Sequence, residues 1–273
     1  MNVETVLSDD GVRLKYAYCG SPRQPCVVLL MPFGLRLGLA DAFFRFYESH
    51  YYVVTWESRL ILDSSEREIQ PKDFAVHNHV RDLASILRAC HVSKAFLVGY
   101  CSGAGIALAA ANRFPQLFSN LILVHGEYTL LGDESCTTQF AAEIDSLLSM
   151  AARSDEQAQQ IFEKVNSERP LANTNIPDGI DAPFTQMPYL RRHAINYVAY
   201  KSKDFKKLAQ CVSHRSLLLT GDRDVQANAE STRRIHGLMR NADIDVDPNA
   251  DHYGILREDS RTLATIWNYI GEY

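Results

Sequence analysis

Phe96-Leu97-Val98-Gly99-Tyr100-Cys101-Ser102-Gly103-Ala104-Gly105 is the stretch on which the fold of this chain turns. With Ala95 it begins as a short apolar run, the pattern of a strand buried on both faces. The run ends in Gly-x-Cys-x-Gly, and small residues follow: Ala107, Ala109, Ala110 and Ala111 continue a helix. A strand that turns at once into a helix forces its corner residue into a strained backbone, where neighbouring side chains would collide. Glycines on both sides of Cys101 remove that collision. The turn leaves a thiol exposed at the C-terminal edge of a sheet, facing a helix N-terminus. Free N–H groups and positive potential there favour a thiolate and stabilise a developing anion. The Ser102 N–H, next after the cysteine, is the expected first oxyanion donor.

The rest of the chain supplies a sheet for this turn. Cys26-Val27-Val28-Leu29-Leu30-Met31 is another continuous apolar run, closed by Pro32. Segments 51–56, 121–124 and 216–220 read as further strands, and the alternating Asp243-Ile244-Asp245-Val246-Asp247 as a strand nearer the sheet edge. Between them, 73–91 has helical spacing, with Val80, Leu83, Ile86, Leu87 and Cys90 on one face and Asp73 as the expected N-cap. Leu263, Ile266, Trp267 and Ile270 mark a closing amphipathic helix. This alternation predicts an α/β fold, a mainly parallel central sheet with helices on both faces. From about 127 to 214 strand-like runs vanish and helical, Gln/Glu/Ala-rich patterns take over, with breaks expected at Pro170, Pro177, Pro183 and Pro188. We therefore expect one catalytic domain, with a core formed by 1–126 and 215–273 and a helical cap insertion over 127–214.

A nucleophile on such a turn needs a base and an acid on later strands, in the chain order nucleophile, acid, base. The 216–220 strand runs into Gly221-Asp222-Arg223-Asp224, and the last strand into Ala250-Asp251-His252-Tyr253-Gly254. Of the nine histidines, His252 alone follows the last strand. His252 is the expected base for Cys101, with Asp224 orienting its imidazole and Asp222 the competitor for that role. Asp251 reads as a loop carboxylate. His77 and His79 lie two apart on a helix and point apart, so they cannot share a metal. His125 ends a strand near the site and reads as structural; His50, His91, His193, His214 and His236 read as surface or core residues.

With these residues in place, the chain resembles the α/β-hydrolase superfamily over nearly its whole length. The resemblance implies the Gly-x-x-D reading that favours Asp224. It also implies a second oxyanion donor after the Cys26-to-Met31 run, where relatives carry His-Gly. Here Met31-Pro32-Phe33-Gly34-Leu35 stands instead, which gives the role to the Phe33 N–H, with Gly34 the alternative. A further departure is Trp56-Glu57-Ser58-Arg59-Leu60, in place of an Asp-x-Arg-Gly-x-Gly-like turn. Glu57 and Arg59 are expected to pair there, and Glu57 is a candidate for holding a substrate ammonium.

Within the superfamily, Gly99-Tyr100-Cys101-Ser102-Gly103 is similar to two groups. Dienelactone hydrolases share Gly-Tyr-Cys but have no cap and carry the acid close behind the nucleophile. Here the whole 127–214 stretch separates Cys101 from Asp224. The better resemblance is to the cysteine-dependent aminoacyl and acyl transferases of nonribosomal peptide pathways. That implies acyl transfer between carrier-protein phosphopantetheine thiols through a Cys101 thioester, with an acyl or aminoacyl carrier protein as partner. It implies no metal and no organic cofactor, since phosphopantetheine arrives on the partner. The nucleophile supports this independently. A serine takes a thioester downhill to an oxygen ester, whereas a cysteine makes another thioester, which can be passed on. The alternatives are a thioesterase or an ester or lactone hydrolase with the same residues, and a non-catalytic receptor on the same scaffold.

Composition narrows the field. A net charge of −5 over 273 residues carries no nucleic-acid footprint. No apolar run reaches the roughly 18 residues of a membrane span, and MNVETVLSDDG lacks the basic-then-apolar pattern of a secretory leader. Six scattered cysteines without CxxC pairing imply a reduced, cytoplasmic protein. Arg191-Arg192-His193 and the lysines of 201–207 form a basic cluster suited to an acidic carrier protein or a phosphate. Phe184, Met187, Tyr189 and Tyr197 are candidates for lining an acyl pocket.

Overall fold

Period-two alternation sorts the strand side chains onto two faces. In the computed structural model, which describes residues 1–63, 67–167 and 176–271, Val28, Leu30, Val54, Leu97, Leu121 and Leu123 pack to one side. Val27, Leu29, Val53, Val98, Ile122 and Val124 pack to the other. Each such side chain contributes about 1.5–3 kcal/mol by leaving water.

The strands are β1 (Asn2–Leu7), β2 (Arg13–Cys19), β3 (Cys26–Leu30), β4 (Tyr52–Trp56), β5 (Ala95–Tyr100), β6 (Phe118–Val124), β7 (Arg215–Gly221) and β8 (Ala242–Asp247). They form one sheet in the order β1-β2-β4-β3-β5-β6-β7-β8. β3 to β8 run parallel. β1 and β2 form an antiparallel hairpin that pairs on β4. β8 lies at the sheet edge, as its alternating sequence predicts.

Helices cover both faces. α2 (Val76–Ala89), α3 (Ser102–Arg113) and α8 (Ala229–Leu238) supply Leu83, Ile86, Ala107, Ala110 and Ile235 to one core. α1 (Asp41–Tyr47) and α9 (Arg261–Gly271) supply Phe43, Phe44, Leu263, Ile266 and Ile270 to the other.

Between β6 and β7 the chain forms α4 (Gln139–Ala151), α5 (Asp155–Ser167), α6 (Met187–Lys201) and α7 (Lys206–Cys211). α4, α5 and α6 share a cluster of their own, built from Leu148, Ala151, Ala158, Ile161, Leu190, Ala194 and Tyr197. The Thr138 hydroxyl caps α4 by accepting from the Ala141 N–H at 3.0 Å. α7 instead packs on the main core through Ala209.

Two local readings change. Asp73 does not cap α2; it lies in a 3-10 turn, Pro71–Phe74, where its carboxylate accepts from the Gln70 N–H at 2.8 Å. Ala75 then starts the helix. Pro188 does not break a helix but sits in the first turn of α6, where a missing N–H has no cost. The break expected at Pro170 lies outside the described residues. Among the described residues no helix is long and apolar enough to cross a membrane.

Candidate active site

Cys101 sits at the corner between β5 and α3 with φ 54 and ψ −122, a backbone conformation that costs about 1–3 kcal/mol. Its neighbours show why both glycines are needed. A Cβ on Gly99 would lie 2.7 Å from the Ala104 Cα, and one on Gly103 would lie 2.3 Å from the Leu30 carbonyl oxygen. The corner is braced by backbone bonds, Cys101 N–H to Val124 O at 3.0 Å and Ala104 N–H to Cys101 O at 3.0 Å.

Burial pushes the Cys101 thiol well above its ordinary pKa. The nearby Glu127 carboxylate pushes in the same direction, and the Ser102 N–H opposes both. The thiol donates to Glu127 Oε2 at 3.8 Å. Among the described residues no hydrogen bond joins Cys101 to His252, although both line one cavity of about 470 Å³.

The structure brings Asp224, and not Asp222, to His252. His252 Nδ1 donates to Asp224 Oδ2 at 2.8 Å, while Asp222 pairs with Arg233 at 3.1 Å on the surface. His125 Nδ1 donates to the same Asp224 Oδ2, also at 2.8 Å. The other oxygen, Oδ1, accepts the Gln226 and Ala227 N–H groups at 2.8 and 2.9 Å. Burial alone would raise the Asp224 pKa. The two histidine bonds outweigh it and hold the carboxyl well below the usual carboxylate range. With Nδ1–H donated to Asp224, Nε2 is the ring nitrogen left to accept a proton. The Tyr100 hydroxyl donates to the His252 carbonyl at 3.0 Å and anchors that loop.

His125 thus shares the acid with His252. The two rings meet edge to face at 5.6 Å. His125, Asp224 and His252 are also the one group among the described residues whose potential ligand atoms lie within 4.8 Å of one another. Two N–H donors converging on one carboxylate oxygen account for that approach.

The two expected oxyanion donors have different partners. The Phe33 N–H donates to Ser102 Oγ at 3.2 Å, and the Ser102 N–H faces the thiol at the start of α3. The Gly34 N–H is engaged elsewhere, with Ser58 Oγ at 3.3 Å.

Several expectations are corrected. Glu57 lies outside the cavity, bound to Lys15 at 3.2 Å and accepting from the Leu37 N–H at 3.3 Å. Arg59 pairs not with Glu57 but with Asp10 and Asp82, the latter at 3.5 Å. Asp251 is held by Arg257 at 2.7 Å, as a loop carboxylate would be. His193 faces the cavity rather than only surface or core. Of the four candidate pocket residues, Phe184 and Tyr197 line the cavity; Met187 packs against the α4–α6 cluster and Tyr189 is buried elsewhere. The basic cluster is not a single patch: Arg191 pairs with Asp155 at 3.0 Å, and Lys201 turns inward to Glu127 and Asp145 at 3.5 and 3.3 Å.

Glu127 is the residue that sequence reasoning missed. It lies just past the end of β6, at the C-terminal edge where parallel sheets carry ligands, and that position was the available signal. Its Oε1 accepts from the Tyr197 hydroxyl at 2.8 Å.

Relatives agree with this architecture. An L-allo-isoleucyltransferase of Pseudomonas savastanoi pv. glycinea is 24% identical over 249 residues, covering 89% of this chain and 86% of that protein. The enol-lactonase of Burkholderia xenovorans LB400 superposes with a TM-score of 0.77 at 17% identity, over 98% of this chain and 100% of that one. A hydrolase of Pseudomonas aeruginosa PA01 superposes with a TM-score of 0.72 at 18% identity, over 99% and 98%. A family model described as the alpha/beta hydrolase fold matches residues 62–256. On sheet order, strained corner and family match together, the chain belongs to the α/β-hydrolase superfamily of enzymes.

Proposed function

We propose that the chain is an acyl or aminoacyl thioester transferase that moves its cargo through a Cys101 thioester between carrier-protein phosphopantetheine thiols. The observation that carries this is a cysteine, not a serine, on the strained corner of an apolar cavity, beside a His252–Asp224 pair. The likeness to an aminoacyltransferase supports the same reading.

Attack begins when the thiol turns from Glu127 to His252, whose Nε2 takes its proton. The thiolate sulfur bonds to the thioester carbonyl carbon, and the carbonyl oxygen becomes an oxyanion. The Ser102 and Phe33 N–H groups receive it once Ser102 Oγ releases the Phe33 N–H. Collapse breaks the bond to the pantetheine sulfur, which leaves with the proton from His252. A second thiol then gives its proton to His252, attacks the Cys101 thioester, and expels the Cys101 sulfur, which takes that proton back from His252. Each step exchanges one thioester for another, so the activation is kept. Helices α4 and α6, which line the cavity, serve as a cap that keeps water from the intermediate.

Loading by a radiolabelled aminoacyl-carrier thioester tests this reading. Label should appear on the protein, disappear in Cys101→Ala, and move to a second carrier protein when one is added. Release as free acid, with or without the second carrier, would instead mean a hydrolase. Absence of any covalent adduct would sink both readings.

A further inference from the structure

The Glu127 carboxylate works against the nucleophile it touches. A negative charge beside a thiol opposes formation of the thiolate, and Glu127 Oε2 sits 3.8 Å from Cys101 Sγ. A Gln at this position would keep the bond from the Tyr197 hydroxyl at 2.8 Å and spare the thiol that opposing charge. The charge itself therefore calls for a function.

The cavity wall points to one. Glu127, Asp178 and Asp181 line it, and no lysine or arginine does among the described residues. His193 also lines it, and burial pushes this imidazole down to about 4, so it adds no positive charge near neutral pH. Lys201 lies behind Glu127 and is shared with Asp145, at 3.5 and 3.3 Å. One cation thus serves two carboxylates, and the group nearest the sulfur keeps an excess of negative charge. The apolar side chains of Phe140, Ile144, Leu148 and Phe184 line the same cavity.

We infer that Glu127 is the anchor for the α-ammonium group of an aminoacyl thioester, and so selects aminoacyl over plain acyl cargo at Cys101. This rests on the thioester reading proposed above and names the substrate class for that same site. The spacing fits. In an aminoacyl thioester three bonds separate nitrogen from sulfur, which puts them about 3–4 Å apart. A carboxylate oxygen 3.8 Å from that sulfur is then within reach of the nitrogen for a charge-assisted bond. The aliphatic side chain of the cargo would lie on the apolar wall. The ammonium would also neutralise the charge that suppresses the thiol, so the correct cargo helps to activate its own nucleophile.

The experiment compares loading of Cys101 from two synthetic thioesters, L-isoleucyl-pantetheine and its des-amino counterpart 3-methylpentanoyl-pantetheine, followed by intact-protein mass spectrometry. The native protein should prefer the amino-bearing thioester, and Glu127→Gln should lower that preference about 10- to 100-fold, the value of one charge-assisted hydrogen bond. Equal loading by the native protein, or an unchanged preference in Glu127→Gln, would overturn the inference while leaving thioester chemistry intact. A second measurement stands apart from that chemistry: protection of Cys101 against iodoacetamide by 2-methylbutylamine and by 2-methylbutanol. The amine should protect better in the native protein, and the difference should vanish in Glu127→Gln. If the amine protects no better than the alcohol, the anchor role fails whatever the thioesters do.

Discussion

Replacing Asp224 by Asn separates the two aspartates of the Gly221-Asp222-Arg223-Asp224 loop. Asp224 Oδ2 accepts two imidazole N–H groups at 2.8 Å each, and Oδ1 accepts two backbone N–H groups at 2.8 and 2.9 Å. Asparagine has one acceptor oxygen, so its NH₂ must face one of these pairs and leave two buried donors unmatched. At about 1–3 kcal/mol for each orphaned donor, the loss is about 2–6 kcal/mol. Asp222 is half-exposed and pairs with an equally exposed Arg233, an arrangement worth about 0–1 kcal/mol. Urea denaturation at pH 7 should therefore show a large fall in midpoint for Asp224→Asn and almost none for Asp222→Asn. Acid narrows the gap between native protein and Asp224→Asn. The Asp224 pKa is depressed in the fold, so its contribution is full above the unfolded value of about 3.9 and is lost as pH falls through the folded value. Loading of Cys101 should drop about 10²–10⁴-fold in Asp224→Asn, because the amide can hold the wrong tautomer of His252. Equal midpoints and equal loading for the two variants would refute this account of the acid.

Three further outcomes follow from the site. Gly103→Ala puts a methyl 2.3 Å from the Leu30 carbonyl oxygen of a central strand, so it should destabilise by about 1–3 kcal/mol or more, whereas Gly237→Ala meets nothing and should not; thermal melts that match for the two would contradict the packing argument. Alkylation of Cys101 by iodoacetamide should rise only above the ordinary thiol range, and Glu127→Gln should shift the profile to lower pH, because burial and the Glu127 charge both raise the thiol; a profile unmoved by the substitution counts against that charge. Cys101→Ser should accept label as an oxygen ester but fail to pass it to a second thiol, since that step runs uphill; normal transfer by the serine variant would remove the reason for the cysteine.

The corner at Cys101 was legible in the sequence because its strain leaves little choice of residue. Gly99 and Gly103 have no room for a side chain, so the pattern is written locally. Continuous apolar runs likewise announced β3, β5 and β6, which are covered on both faces. The hairpin of β1 and β2 was not read, since β1 is exposed along most of its length and carries no clean apolar pattern. α1 is only two turns long and escaped for lack of periodicity. Pairings across the chain were the least readable. Arg59 stands two residues from Glu57 but finds Asp82 on α2, because burial of its guanidinium demands a partner from another element. The one local mark Glu127 carries is its place just past a strand end; the folding of β6 beside β5 brings it to the sulfur. His125 became visible as a partner of Asp224 only when β6 and β7 lay side by side.

The carboxylate of Asp224 also has a mechanical consequence. His125 follows β6, Asp224 follows β7 and His252 follows β8, so one buried oxygen clasps the ends of three neighbouring strands. β8 is an edge strand with a neighbour on one side only, the kind of strand that frays first. Fraying there would draw His252 away from the acid, and the clasp resists it from two strands inward. Protonation of Asp224 would loosen the clasp, so the sheet edge and the reactive centre would come apart as one unit.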